Sequence, residues 1–269
     1  MRQKSLSGMA GILLMLFSNA TAIAQSPYEL HWPKDGIIFA TGLVSGAIGG
    51  ALVLKVDPFT PEEINTLSRD DVNAFDRPAT YNYSESANIN SDIVVIMCSA
   101  LPLTLFLSKD VRKDFSTFGA MYLQMLIFSS ALPPVSKGAF QRTRPFVYNE
   151  NAPIEKKTIT EARLSFFSGH TTHAFAGAVF FSVTYGAYFP DSKLKPFVWG
   201  GSLLLASAVG YLRIEAGKHF RTDVLVGAAI GSAIGYFIPR LHQRSNDSGI
   251  SLFPLYRKGA LQAGLSYSF

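Results

Sequence analysis

Six apolar runs free of Lys, Arg, Asp and Glu alternate with polar connections along this chain: Gly36 to Leu54, Ile93 to Ser108, Phe115 to Ser136, Thr171 to Phe189, Pro196 to Leu212 and Val224 to Pro239. They read as helices, although several hold only 16 or 17 residues, short of the ~20 that cross a bilayer squarely. Gly42, Gly46 and Gly50 recur every fourth residue in the first run, a spacing that lets a neighbouring helix approach closely. Pro133-Pro134 predicts a stop or kink near the end of the third. Between the first two runs lies an acidic, proline-punctuated segment, Asp57 to Asp92, with one short helix expected after Thr60, where Pro61-Glu62-Glu63 suits a first turn. From Gly249 the period becomes two: Leu261, Ala263, Leu265, Tyr267 and Phe269 alternate with Gln262, Gly264, Ser266 and Ser268. Arg257-Lys258-Gly259 can turn that strand back on Ile250 to Tyr256, so a short β-hairpin docked on the helical body is expected over residues 246–269.

Composition shifts this picture toward the membrane. Hydrophobic residues make up 48% of the 269 and charged residues 16%, against ~25% charged in an average soluble domain. A mean hydropathy of +0.20 makes the shift mild. The net charge of +5 suits an anionic membrane surface or a phosphorylated substrate. Nucleic acid is not expected as a partner, since no basic run with interleaved aromatics occurs outside the apolar context. Cys98, alone and inside an apolar run, reads as a small buried hydrophobe. Residues 1–24 read as a secretory signal: Arg2 and Lys4, then an apolar middle from Met9 to Phe17, then Ala22-Ile23-Ala24 as a cleavage site.

Three polar islands interrupt the apolar sequence between Lys137 and Asp223. They are Lys137-Gly-Ala-Phe-Gln-Arg-Thr-Arg144-Pro145, then Ser168-Gly169-His170, then Arg213, His219 and Asp223. In that order and spacing the chain resembles the type 2 phosphatidic acid phosphatase (PAP2) superfamily, in its membrane-associated lipid phosphatase branch. Phe167 and Leu212 stand where that family often has proline and serine. The resemblance implies an all-α bundle of five or six core helices over residues 25–245, and hydrolysis of a phosphate monoester or pyrophosphate without metal or other cofactor. It also implies that His219 is the nucleophile and that His170 protonates the leaving oxygen and later activates water.

The chemistry of the islands agrees with that implication. Lys137, Arg144 and Arg213 supply fixed positive charge for the non-reacting phosphate oxygens. Ser168 and Gly169 precede a long apolar helix, so a hydroxyl and backbone amides point from its N-terminus toward an anion. Asp223 lies one helical turn after His219 and can accept the ring's other N–H. His173 reads as lining the bundle, and His31 and His242 as surface positions. Arg142 and Arg221 either widen the positive field or are solvated. Cations in the same cluster would repel a dication, so no metal is expected.

Orientation follows from the basic connections Lys109 to Asp114, Asp191 to Lys195 and Arg240 to Arg244, which fall at the end opposite the islands and place the islands in the periplasm of a bacterial inner membrane. Either the signal is cleaved and Gly36 to Leu54 does not cross, which is the arrangement expected, or that segment crosses from a cytoplasmic N-terminus and residues 1–24 are not a cleaved signal. The apolar setting points to a lipid such as phosphatidic acid, phosphatidylglycerol phosphate, an isoprenyl pyrophosphate or lipid A. Two rivals remain: a soluble periplasmic acid phosphatase of the same superfamily, and a non-catalytic membrane transport or assembly component.

Overall fold

The computed structural model describes residues 26–244, 249–257 and 260–268, with side chains through residue 244. The leader expected at 1–24 lies outside them. Six long helices form the body: α1 (Trp32–Val53), α2 (Glu85–Ala100, continued as a 3-10 helix over Leu101–Leu107), α3 (Phe115–Phe140), α4 (Gly169–Tyr188), α5 (Lys195–Glu215) and α6 (Arg221–Leu241). The short helix after Thr60 is present as Pro61–Thr66, closed by a capping box in which Thr60 Oγ1 accepts from Glu63 N and Thr60 N donates to the Glu63 carboxylate.

The apolar runs are lengthened at their ends by the polar residues that flank them. Lys137 falls in the last turn of α3, Arg213 in the last turn of α5, and Asp223 in the first turn of α6. The helices therefore reach 20 to 26 residues where the longer α2–3-10 unit is counted as 23. Five of them (α1, α2 with its extension, α3, α5 and α6) are long and apolar enough to cross a membrane. Their outward faces carry exposed Ile37, Leu43, Ile96, Phe197, Leu204 and Phe237. A continuous apolar exterior of this kind marks contact with lipid.

Helix α3 does not end at Pro133-Pro134 but runs on to Phe140, where Gln141 takes the left-handed conformation (φ 45°) and terminates it. Both prolines are pressed by neighbours, Pro134 by Gly49 of α1 and Pro133 by Gly169 of α4, which is how proline is accommodated within packed membrane helices. Helix α1 runs the full length of the bundle. Its first turn is bound to the end of α6, with Asp35 accepting from His242, and its last turn packs on Gly138 of α3. It is as long as its neighbours and packs along α3. Of its glycines, Gly42 and Gly49 make the close approaches and Gly50 faces open space.

Helix α4 is the central element, packed by α6, α5, α2 and α3. Gly227, Gly231 and Gly235 let α6 lie on its backbone, and a Cβ at Gly231 would stand 2.3 Å from the Thr172 carbonyl oxygen. The main core, with Phe118, Met125, Phe180 and Tyr185, fills the end away from the islands. Cys98 is fully buried against Gly177 in a separate cluster with Ala174, Ala178, Ala206 and Val209. His242, expected at the surface, is completely buried and bonded to Asp35 and to the Ile238 carbonyl.

A single bridge between Tyr28 and Gln243 is the only β pairing among the described residues of the body. The C-terminal residues form two antiparallel strands, Gly249–Arg257 and Ala260–Ser268, with Gly249 opposite Ser268 and Arg257 opposite Ala260. They form a two-stranded sheet.

Candidate active site

The three islands meet at one end of the bundle because three helix ends do. Ser168 caps α4: its Oγ accepts from Thr171 N at 3.4 Å and from Thr171 Oγ1 at 2.9 Å. Gly169 follows in the first turn, and a Cβ there would stand 3.9 Å from Lys137 Nζ and 3.5 Å from Pro133.

Between α5 and α6 the chain turns at Gly217, whose φ of +67° and approach to the Asn82 carbonyl exclude a side chain. The Arg213 carbonyl then accepts from both Lys218 N and His219 N, folding His219 back under α5. His219 is 1% exposed. Burial first, then the surrounding charges of Arg144, Arg213, Lys137 and His170, hold its ring well below the ordinary imidazole range, so it is neutral. Its Nδ1 lies 3.7 Å from Asp223 Oδ2 and has no hydrogen-bond partner.

Asp223 is anchored instead by Ser165 Oγ at 2.6 Å, Phe220 N at 2.9 Å and Arg142 at 2.5 Å. Arg142 also donates to Asp76 and to Thr222, and its guanidinium lies 4.1 Å over the Phe220 ring. Asp76, fully buried, takes Thr222 N and Thr222 Oγ1 as well. Arg142 is therefore neutralised by two buried carboxylates and does not widen the positive field.

Arg144 is 2% exposed. Three of its N–H groups are engaged, with the Glu161 carbonyl, the Glu161 carboxylate and the Lys218 carbonyl, leaving two for a ligand. The guanidinium holds the Glu161 carboxyl below its usual range. Arg213 donates to Asn88 at 2.8 Å and Ser91 at 3.0 Å, its Nε has no partner, and Asp92 lies 3.7 Å from it. His170 Nε2 is 2.7 Å from Asp92 Oδ1. His173 bonds Ser130 and the Gly169 carbonyl at the wall of a groove. That groove, about 570 Å³, runs from Lys137 and His170 past Pro133 and Ile96 to Tyr122.

Every island residue named from the sequence is thus at this end of the bundle, with Lys137, Arg144, His170 and Arg213 around the His219 ring. Asp76, Asp92, Glu161 and Ser165 were not named. Each lies in a polar connection, or in the first turns of a helix, with no spacing that sets it apart.

Residues 118–247, just under half of the chain, match the PAP2 superfamily model. The lipid A 4'-phosphatase of Porphyromonas gingivalis is 30% identical over 58% of this chain and 65% of its own length. Human phospholipid phosphatase 2 is 28% identical over 59% of this chain and 65% of its own length. The chain thus spans just under two thirds of either relative. A solved PAP2-type phosphatidylglycerolphosphate phosphatase from Bacillus subtilis superposes with a TM-score of 0.40 at 22% identity, over 87% of this chain and 94% of that one.

Proposed function

We propose that this chain, through residues 25–245, hydrolyses the phosphate monoester or pyrophosphate of a membrane lipid by way of a phosphohistidine at His219. The observation that carries the reading is a buried imidazole, held toward its neutral form, with Lys137, Arg144 and Arg213 near it and Asp223 behind it. A phosphoryl group is anionic throughout its transfer, so fixed positive charge around its non-reacting oxygens stabilises the transition state. A neutral ring keeps a lone pair for phosphorus. With Nδ1 toward Asp223, Nε2 attacks; as the ring becomes cationic, the 3.7 Å gap to the carboxylate closes into a charge-assisted hydrogen bond. His170 protonates the leaving oxygen and then takes a proton from water. Ser168 and Gly169 bring the amides at the start of α4 to the phosphate. The cations that hold the phosphate repel a divalent metal, which argues for metal-independent chemistry.

A lipid substrate is supported by the groove, whose walls at Val95, Ile96, Tyr122 and Pro133 suit an acyl chain that enters between α2 and α3. Relatives named as lipid phosphatases agree. Phosphatidic acid, phosphatidylglycerol phosphate, an isoprenyl pyrophosphate and lipid A all fit this description. We place the island end on the periplasmic side of a bacterial inner membrane, from the basic connections at the other end. A full-length α1 then puts Ser26 on the inner face, so an outward site and a leader cleaved outside the membrane are mutually exclusive.

The test is a panel of lipid and water-soluble phosphates with purified protein in detergent. The expected outcome is phosphate release from lipid phosphates, inhibition by vanadate and indifference to EDTA. Release that survives His219→Ala, or none from any lipid phosphate, overturns the reading.

A further inference from the structure

Helix α2 lies outside the matched residues 118–247, yet three side chains of its first two turns enter the site. Asn88, Ser91 and Asp92 share one face. Asn88 and Ser91 accept from Arg213, and Asp92 receives His170. This placement is built rather than incidental. Ser84 caps α2 at Ala87 N, and Asn82 just before it donates to the Ile214 carbonyl, one residue beyond Arg213.

We propose that Asp92 is a positioning residue for His170, its carboxylate accepting the ring's Nε2–H so that Nδ1 is the nitrogen that exchanges protons with substrate. This rests on the phosphotransfer reading of the site. In the first half-reaction the His219 N–P bond forms and the P–O ester bond breaks; the electron pair leaves with the oxygen, which takes the proton from His170 Nδ1. In the second, water gives a proton to Nδ1 while its oxygen bonds to phosphorus, and the P–N pair returns to His219. Nε2–H stays on Asp92 in both halves, so one ring serves as acid and then as base without turning over.

The charges facing His170 show why a carboxylate is needed. Lys137 comes from α3, Arg213 from α5, His219 from the α5–α6 connection and His173 from α4 itself. Burial first, then the charges of Arg213 and Lys137, disfavour the protonated ring that the first half-reaction requires, and Asp92 is the group that opposes them.

The experiment compares Asp92→Asn, Asp92→Glu and His219→Asn in detergent, with a short-chain phosphatidic acid and with p-nitrophenyl phosphate, across pH. Asp92→Asn is expected to lower kcat on the alkyl phosphate roughly tenfold to a hundredfold, with a smaller loss on p-nitrophenyl phosphate, whose leaving group needs no proton. Its high-pH limb moves down by about one unit, and Asp92→Glu recovers part of the loss. An Asp92→Asn enzyme with the wild-type rate and pH profile, or one with equal losses on both substrates and no pH shift, overturns the assignment while leaving the phosphotransfer reading intact. An active His219→Asn enzyme overturns that reading itself.

Discussion

His219 is the residue at which burial and charge act most strongly in one direction, and both keep it unprotonated. The linkage has a definite sign. Below the ordinary imidazole value of ~6.5 the unfolded chain binds a proton that the folded chain refuses, so stability is fully present above that pH and falls as pH drops beneath it. Melting temperature in detergent should decline on acidification from pH ~6.5, and His219→Asn should flatten that decline; equal slopes in the two proteins would contradict a neutral buried ring. Vanadate should offset the decline, because an anion in the pocket favours the imidazolium. Glu161 bears on phosphate binding instead. It occupies one face of Arg144, so a phosphate must share the guanidinium with it. Glu161→Gln is expected to tighten vanadate inhibition several-fold, read as a lower Ki, with little change in kcat. The island residues were legible because charge is rare within apolar sequence and stands out. Glu161, Asp92 and Asp76 lie in segments where carboxylates are common, and only the folded chain shows which of them turn inward. His242 was misread for a related reason: its partner, Asp35, is 207 positions away.

At the scale of elements, the site depends on how α6 is held. Its first turn is fixed by Asp76 and Arg142, and Asp223 is presented to His219 only because Arg142 and Ser165 hold the carboxylate from the other side. Removing Arg142 leaves two buried carboxylates without a counter-charge, a loss of about 3–5 kcal/mol for a broken buried pair. Arg142→Met should therefore lower the melting temperature markedly and reduce phosphoenzyme formation. Asp76→Asn in the same background should restore part of the stability; failure to do so would mean the two are not coupled. Helix existence and order were readable from the apolar runs, whereas helix ends were not, since the polar residues that complete α3, α5 and α6 belong to the site and look like connections. The passage of α3 through Pro133 and Pro134 was also hidden, because local propensity argues for a break and the packing of α1 and α4 overrides it. The same tight packing makes Gly231→Val a severe change: a Cβ 2.3 Å from a backbone oxygen forces α6 off α4. Loss of both folded yield and activity is the expected result.

For the whole molecule, the question is which way the bundle faces, and α1 turns that into a measurement. Six full-length helices bring both termini of the body to the end opposite the site. There the segment before α1 is joined to the end of α6 through Glu29 N to His242 O and Arg244 N to Pro27 O. Single cysteines in a Cys98→Ser background can report each end: Glu62→Cys beside the short helix at the site end, Lys193→Cys in the α4–α5 connection, and His31→Cys just before α1, all at exposed positions. With the site facing the periplasm, an impermeant maleimide added to intact spheroplasts labels Glu62→Cys and spares Lys193→Cys and His31→Cys until the membrane is opened. Labelling of His31→Cys together with Glu62→Cys would show that α1 does not cross and would return the leader to a cleaved, exported role. Labelling of Lys193→Cys and His31→Cys without Glu62→Cys would turn the site inward, and with it the leaflet from which a lipid phosphate must come.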